Sequence, residues 1–150
     1  MSNSMLNKPK LANIPRESQV EPMNNEKEET CVLKFQAYAS SQTGYQPYTD
    51  KVNQDAFSVK SYLIHDSNVD MYFVCDGHGR YGEKVSQYCV QEIPELIKRY
   101  IEKKKTINDK IIKDAITEGC EMSHKLLEKS NIQIAVSGTT VVLSIIWNNT

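Results

Sequence analysis

The stretch at residues 71–80, Met-Tyr-Phe-Val-Cys-Asp-Gly-His-Gly-Arg, constrains the fold more than any other part of this 150-residue chain. Its five apolar residues are typical of a buried strand, and a carboxylate, an imidazole and two glycines follow at once. We expect Asp76 to lie where the strand becomes a turn, with His78 facing the same space. Gly77 and Gly79 would permit the tight backbone geometry. Such a junction can deliver a metal ligand and an acid to one site, although Asp-Gly and His-Gly pairs also form plain turns.

Two further segments combine polar or small residues with an apolar run. Residues 51–59 read Lys-Val-Asn-Gln-Asp-Ala-Phe-Ser-Val, and residues 137–147 read Ser-Gly-Thr-Thr-Val-Val-Leu-Ser-Ile-Ile-Trp. In their order and spacing, the three segments resemble the amino-terminal half of the metal-dependent type 2C serine/threonine protein phosphatases. The resemblance covers residues 35–147, and Asp-Gly-His-Gly is its most specific element.

The resemblance implies hydrolysis of phosphoserine and phosphothreonine in proteins by a water that two divalent cations, Mg²⁺ or Mn²⁺, hold and activate. Asp76 then corresponds to the carboxylate that bridges the ions, and Gly77 to a residue whose backbone carbonyl contacts one of them. His78 matches the histidine that protonates the leaving serine or threonine oxygen. The alternative for His78 is a structural hydrogen bond within the turn.

The segment upstream of the apolar strand supplies two more candidates. Asp55 lines up with the family's second acidic position, where the side chain would hydrogen-bond metal-bound water or support a metal ligand. Its neighbour Gln54 stands where many relatives carry glutamate, and a neutral amide argues against a direct metal bond from this segment. Lys51 is the candidate for gripping the phosphate, as a point charge where relatives use arginine. A solvent-facing loop lysine is the alternative.

A cysteine-dependent mechanism is a competing interpretation, because Cys75 and Arg80 flank the glycine-rich stretch. Four residues separate them, whereas cysteine-dependent phosphatases place five between the two, enough to cradle a phosphate. A carboxylate directly after the cysteine would also disfavour the thiolate. Both points favour the metal-dependent interpretation.

Composition limits the partners and the compartment. The net charge of −1 argues against nonspecific nucleic-acid binding. No apolar signal core or membrane-spanning run occurs, so we expect a soluble cytoplasmic or nuclear protein that binds phosphoprotein substrates and is a monomer when complete. Its scattered cysteines, without Cys-x-x-Cys spacing, predict reduced and mostly buried thiols; they are Cys31, Cys75, Cys89 and Cys120.

Periodicity predicts a sheet of short antiparallel strands and two helices. The first helix covers residues 85–101, where Pro94 begins a second segment or kinks the first. The second covers residues 108–129. Its apolar face, which is able to lie on the sheet, consists of Ile111, Ala115, Met122, Leu126 and Leu127. The predicted strands are 32–39, 55–60, 61–64, 70–75 and 139–147, with a turn at 66–68 and the last strand buried on both faces.

The composition and the resemblance together give the expected domain organisation. Residues 1–30 are polar and lack an apolar period, so they predict a disordered tail. The resemblance implies that residues 31–150 form the amino-terminal part of a catalytic domain. It also implies an α+β fold class, a partial α-β-β-α sandwich that is incomplete at its carboxyl end. The resemblance implies a further strand carrying Gly-Asp-Ser, which does not follow here, so we expect a fragment that is inactive alone. The alternative is a non-catalytic phosphatase-like binding module or an inactive truncated product.

Overall fold

The computed structural model describes residues 12–13, 36–45, 47–48 and 50–147. Within them lie six strands, two α-helices and a short 3₁₀ turn at Ile134–Val136: β1 (Ala12–Asn13), β2 (Tyr38–Ala39), β3 (Asp55–Ile64), β4 (Ser67–Gly79), α1 (Gly82–Glu102), α2 (Asp109–Glu128), β5 (Ser137–Thr139) and β6 (Val142–Trp147). Most of the predicted tail and the start of the predicted strand 32–39 lie outside the described residues. Within the tail, β1 is described, and it pairs antiparallel with β2. No described helix is long and apolar enough to cross a membrane.

A long hairpin of β3 and β4 forms the centre of the sheet. The two strands pair without interruption from Ile64 opposite Ser67 to Asp55 opposite Asp76. The connecting residues, His65 and Asp66, have φ of 48° and 62°, the left-handed conformation that two-residue hairpin turns require. The predicted break after residue 60 is therefore wrong, because cross-strand pairing carries β3 through its polar positions. The turn predicted at 66–68 lies at residues 65–66 instead.

One face of this hairpin forms the core against α1. Alternate residues of β4 are at most 1% exposed: Val69, Met71, Phe73 and Cys75. They meet buried residues that α1 presents at helical spacing, among them Val85, Ile97 and Ile101. Full burial of such a side chain contributes about 1.5–3 kcal/mol. The opposite, outer face of the sheet carries Asp76 and the exposed Val74.

The proline inside α1 does not begin a second segment, contrary to one of the two predictions for it. Pro94 lacks the N–H that would bond the carbonyl of Val90, so that carbonyl loses its helical partner. The hydroxyl of Ser58 on β3 donates to the Val90 oxygen instead, at 2.8 Å. The sheet thus satisfies the group that the proline leaves free, and α1 continues without a break to Glu102.

The second helix agrees with its predicted range, and Asn108 caps it by accepting a hydrogen bond from the Ile111 N–H at 3.0 Å. Its packing differs from the prediction, because α2 lies mainly against α1 and not on the sheet. A Cβ on Gly119 would lie 2.8 Å from a side-chain carbon of Ile97, so the glycine permits the close approach. Its buried face is Ile112, Ala115, Gly119, Ser123 and Leu127.

The predicted strand 139–147 is two strands in the structure. Strand β5 pairs with Gly77–Gly79 at the end of β4, and β6 pairs with residues 69–74 of the same strand. Burial on both faces is also wrong, since Val142 on the outer face is 69% exposed. The antiparallel sheet with helices on one face confirms the α+β class.

Candidate active site

Two aspartates face each other at one end of the sheet. Asp55 begins β3 and is the cross-strand partner of Asp76 on β4. The Gly77 N–H donates to the Gln54 carbonyl at 3.1 Å, so the hydrogen bond lies beyond the aspartate pair and the pair itself is of the non-hydrogen-bonded kind. In such pairs the Cβ atoms stand closest, roughly 4.5–5.5 Å apart. Both residues are exposed, and like charges in this position repel unless a cation lies between them.

The aspartate pair lines a cavity of about 500 Å³ on the outer side of the sheet. Lys51 and Gly77 line the same cavity, so the structure brings together four of the five residues that the sequence singles out. Asp50, which the sequence analysis does not single out, adds a third carboxylate to the lining. Acidic side chains with one lysine suit a hard cation and an anionic group held beside it.

Gly77 is required by packing. A Cβ at this position would overlap the carbonyl oxygen of Gly82 and would lie 2.7 Å from that of Gln54. Both obstacles are backbone atoms, of the first turn of α1 and of the residue before β3. Because Gly77 has no side chain, the end of β4 can pack closely against both neighbours. This packing places Asp76 at the cavity.

Gln54 fixes the geometry of this end of the sheet. Its side-chain amide donates to the Gly79 carbonyl at 2.8 Å, and its backbone carbonyl accepts from the Ser86 hydroxyl at 2.6 Å. A glutamate at position 54 could not donate the first of these bonds. Glutamine in place of the commoner glutamate therefore has a structural role at position 54. This role depends on the positions of Gly79 and Ser86, which are distant in sequence.

Thr140 is a further residue that the sequence analysis leaves without a role. Its hydroxyl accepts a hydrogen bond from the Asp76 N–H at 3.3 Å, and its own N–H donates to the Asp76 carbonyl at 2.9 Å. Thr140 thus holds both backbone groups of Asp76, its N–H and its carbonyl. The Ser-Gly-Thr-Thr motif is the signal that marks this position.

His78 lies on the same strand, two residues and roughly 7 Å beyond Asp76. The expected turn is wrong, because β4 continues through Asp76 and His78 to Gly79, whose φ of 84° ends the strand. The exposed imidazole lies against Gly138 of β5, where a Cβ would come within 2.7 Å of its Nε2. His78 makes no side-chain hydrogen bond among the described residues and does not line the aspartate cavity.

The thiol interpretation finds no support in the structure. Cys75 is fully buried against the core, and burial raises the pKa of its thiol to about 11. A neutral, inaccessible thiol is a poor nucleophile. Cys89 is also buried and Cys120 is half-buried, both as free thiols, while Cys31 lies outside the described residues.

The donor set within the described residues is small. They contain no group of three or more histidine, cysteine, aspartate or glutamate side chains placed to hold one ion. The opposed carboxylates of Asp55 and Asp76 fit a single hard cation, while two ions would need further oxygen ligands.

Two comparisons with known proteins each found a match. The family model for Protein phosphatase 2C matches residues 39–150. A curated relative from Arabidopsis thaliana, named probable protein phosphatase 2C 35, is 33% identical over 105 residues, which is 68% of this chain and 28% of the relative. The chain therefore spans little more than a quarter of that relative's length.

Proposed function

Because this chain belongs to the protein phosphatase 2C family, we propose that the protein carrying it is a Mg²⁺- or Mn²⁺-dependent phosphatase of phosphoserine and phosphothreonine in proteins. The observation that carries the proposal is the register of the central hairpin, which sets Asp55 opposite Asp76 in a cavity that Lys51 also lines. Two carboxylates on adjacent strands repel each other without a cation. Their juxtaposition supports a metal-binding role over a purely structural one.

The proposed roles follow the placement of each group. Asp76 and Asp55 would hold the cation by their carboxylates, and Gly77 by its backbone carbonyl. When bound, the metal would supply an activated water and charge for the phosphate. Lys51 would attract and orient the substrate phosphate as a point charge. His78 would donate a proton to the leaving serine or threonine oxygen. Its side chain is exposed on the same strand as Asp76, so a substrate could reach it.

A non-catalytic role is the second candidate. It is favoured by the absence, among the described residues, of three clustered metal-binding side chains. In that case the cavity would bind phosphorylated segments of partner proteins without turning them over. On either view we expect residues 1–150 alone to bind at most one ion weakly, because two cations need more negative charge to offset their dehydration.

The remaining assignments are also part of the proposal. Phosphoproteins are the expected partners, nucleic acid and membranes are not, and the complete protein would act as a cytoplasmic or nuclear monomer. The net charge of −1 supports the exclusion of nonspecific nucleic-acid binding.

The test measures turnover of a phosphothreonine peptide by the full-length protein, with Mn²⁺ and with EDTA. Asp76→Asn should remove nearly all activity, whereas Asp114→Asn, which deletes an exposed charge on α2, should change nothing. Undiminished turnover in EDTA would overturn the proposal. Metal-independent binding of the phosphopeptide without turnover would establish the non-catalytic alternative.

The role of His78 has its own kinetic signature. His78→Ala should slow hydrolysis of the phosphopeptide, whose alkoxide is a poor leaving group, by about 10²–10⁴-fold. An activated aryl phosphate needs little proton donation, so its hydrolysis should be far less affected. Equal losses on both substrates would contradict the general-acid assignment and leave the metal assignment untouched.

A further inference from the structure

A second cavity, separate from the aspartate cavity, lies between the two helices and β5. Its volume is about 280 Å³, and its walls come from α1, α2, the 3₁₀ turn and β5. This volume is just below the roughly 300–1,000 Å³ typical of small-molecule sites. The space suits a molecule of one ring or a short chain.

The buried lining of this helix cavity carries no charge. Val85, Ile93 and Leu127 supply apolar walls. The thiols of Cys89 and Cys120 also line it, and burial raises the pKa of both, so they are neutral at pH 7. The ionisable group at its edge, the exposed His124, is 3.5 Å from Glu128 and turned to solvent. The lining therefore selects against charged ligands.

One buried hydroxyl in the lining lacks a strong hydrogen-bond partner within the described part of the chain. Ser123 lines the helix cavity and is 2% exposed, and its Oγ makes no hydrogen bond among the described residues. Burial raises the pKa of the neighbouring Cys89 thiol and the Ser123 hydroxyl lowers it. A thiol is a weak hydrogen-bond partner. Buried hydroxyls in proteins are nearly always satisfied. An unpaired one in an apolar cavity marks where a polar atom of a ligand would lie.

We propose that the helix cavity binds a small uncharged molecule, of one ring or a short chain, whose single hydroxyl or carbonyl group bonds the Ser123 hydroxyl. The ligand would rest on Ser137 and Thr139 of β5. Since β5 pairs with Gly77–Gly79, the ligand lies one strand away from the candidate active site without entering it. The proposal is independent of the phosphatase assignment.

The test uses the full-length protein and three probes of similar size: phenol, toluene and benzoate. Side-chain methyl NMR signals of Val85, Ile93 and Leu127 report occupation of the helix cavity. Phenol should shift these signals saturably, with a lower dissociation constant than toluene. Benzoate should not shift them. Equal effects of all three probes, or shifts absent from these methyl groups, would overturn the proposal.

A pair of variants separates the hydrogen bond from general packing. Ser123→Ala should fold normally, because the hydroxyl that it removes has no partner in the described part of the chain stronger than the Cys89 thiol. It should weaken phenol binding about 5–10-fold, a typical loss for one net hydrogen bond, and leave toluene binding unchanged. Thr117→Ala, on the exposed side of the same helix, should alter neither. Phenol affinity that survives Ser123→Ala would refute the role of this hydroxyl.

Discussion

Replacing Asp55 with asparagine should raise the free energy of unfolding of the chain when no metal is present. When metal is present, the same variant should have a lower free energy of unfolding than the wild type. In the metal-free chain the substitution removes the repulsion between two carboxylates that face each other across β3 and β4. With Mn²⁺ present, the same substitution removes a ligand. The sign of the change in unfolding free energy should therefore reverse.

The size of each effect follows from the geometry. Two unit charges roughly 5 Å apart in water repel by about 0.8 kcal/mol, and salt at 0.1 M lowers this to about 0.5 kcal/mol. This is the expected gain for Asp55→Asn without metal. A Mn²⁺ concentration about tenfold above its dissociation constant would stabilise the wild type by about 1.4 kcal/mol, and the variant would lose most of that.

Urea unfolding at pH 7, in about 0.1 M salt and with EDTA or Mn²⁺, measures both quantities. Asp76→Asn should behave like Asp55→Asn, and the double variant should gain little more, because the repulsion is already gone. Asp114→Asn, an exposed aspartate of α2, controls for the change in net charge. A metal-free Asp55→Asn variant less stable than wild type, or one that Mn²⁺ stabilises fully, would refute the reasoning.

Three other predictions concern the same end of the sheet. Gly77→Ala should lower the unfolding free energy by about 1–3 kcal/mol or more, because its Cβ would overlap the backbone of Gly82; an unchanged urea midpoint would contradict this. Gly138→Ala should alter stability little, since the three atoms nearest to its Cβ belong to the exposed ring of His78, which can move; unchanged NMR signals of that ring would refute the contact. Burial raises the pKa of the Cys75 thiol to about 11 from its ordinary value of 9, so the folded state favours the neutral thiol. Stability from this group should be complete below pH 9 and fall as pH rises towards 11, and a difference between wild type and Cys75→Ala that stays constant over this range would count against it.

Local patterns were sufficient to predict the two helices. The spacing of Val85, Ile97 and Ile101 favours the first helix, and the apolar face that includes Ala115 and Leu127 favours the second. The family resemblance, which the comparisons confirm, rests on short motifs whose residues meet at one end of the sheet. Those features depend on neighbours close in sequence.

Features that depend on distant partners could not be read from the sequence. Pro94 stays inside a continuous helix because Ser58, from another element, satisfies the Val90 carbonyl. Strand β4 continues past Asp76 because β5, about sixty residues away, pairs with its last residues. The orientation of α2 follows from α1 already covering the sheet, and the bond from the Gln54 amide needs Gly79 at its side.

The hairpin turn at His65 and Asp66 sets the geometry of a site at the far end of the sheet. From this turn, β3 back to Asp55 and β4 forward to Asp76 have equal lengths, and no bulge interrupts their pairing. Inserting or deleting a single residue in either arm would turn one aspartate to the helix side of the sheet and the other away from it. A matched change in both arms would keep them opposed. Among natural variants, length changes in this hairpin should therefore be found in compensating pairs or confined to the turn.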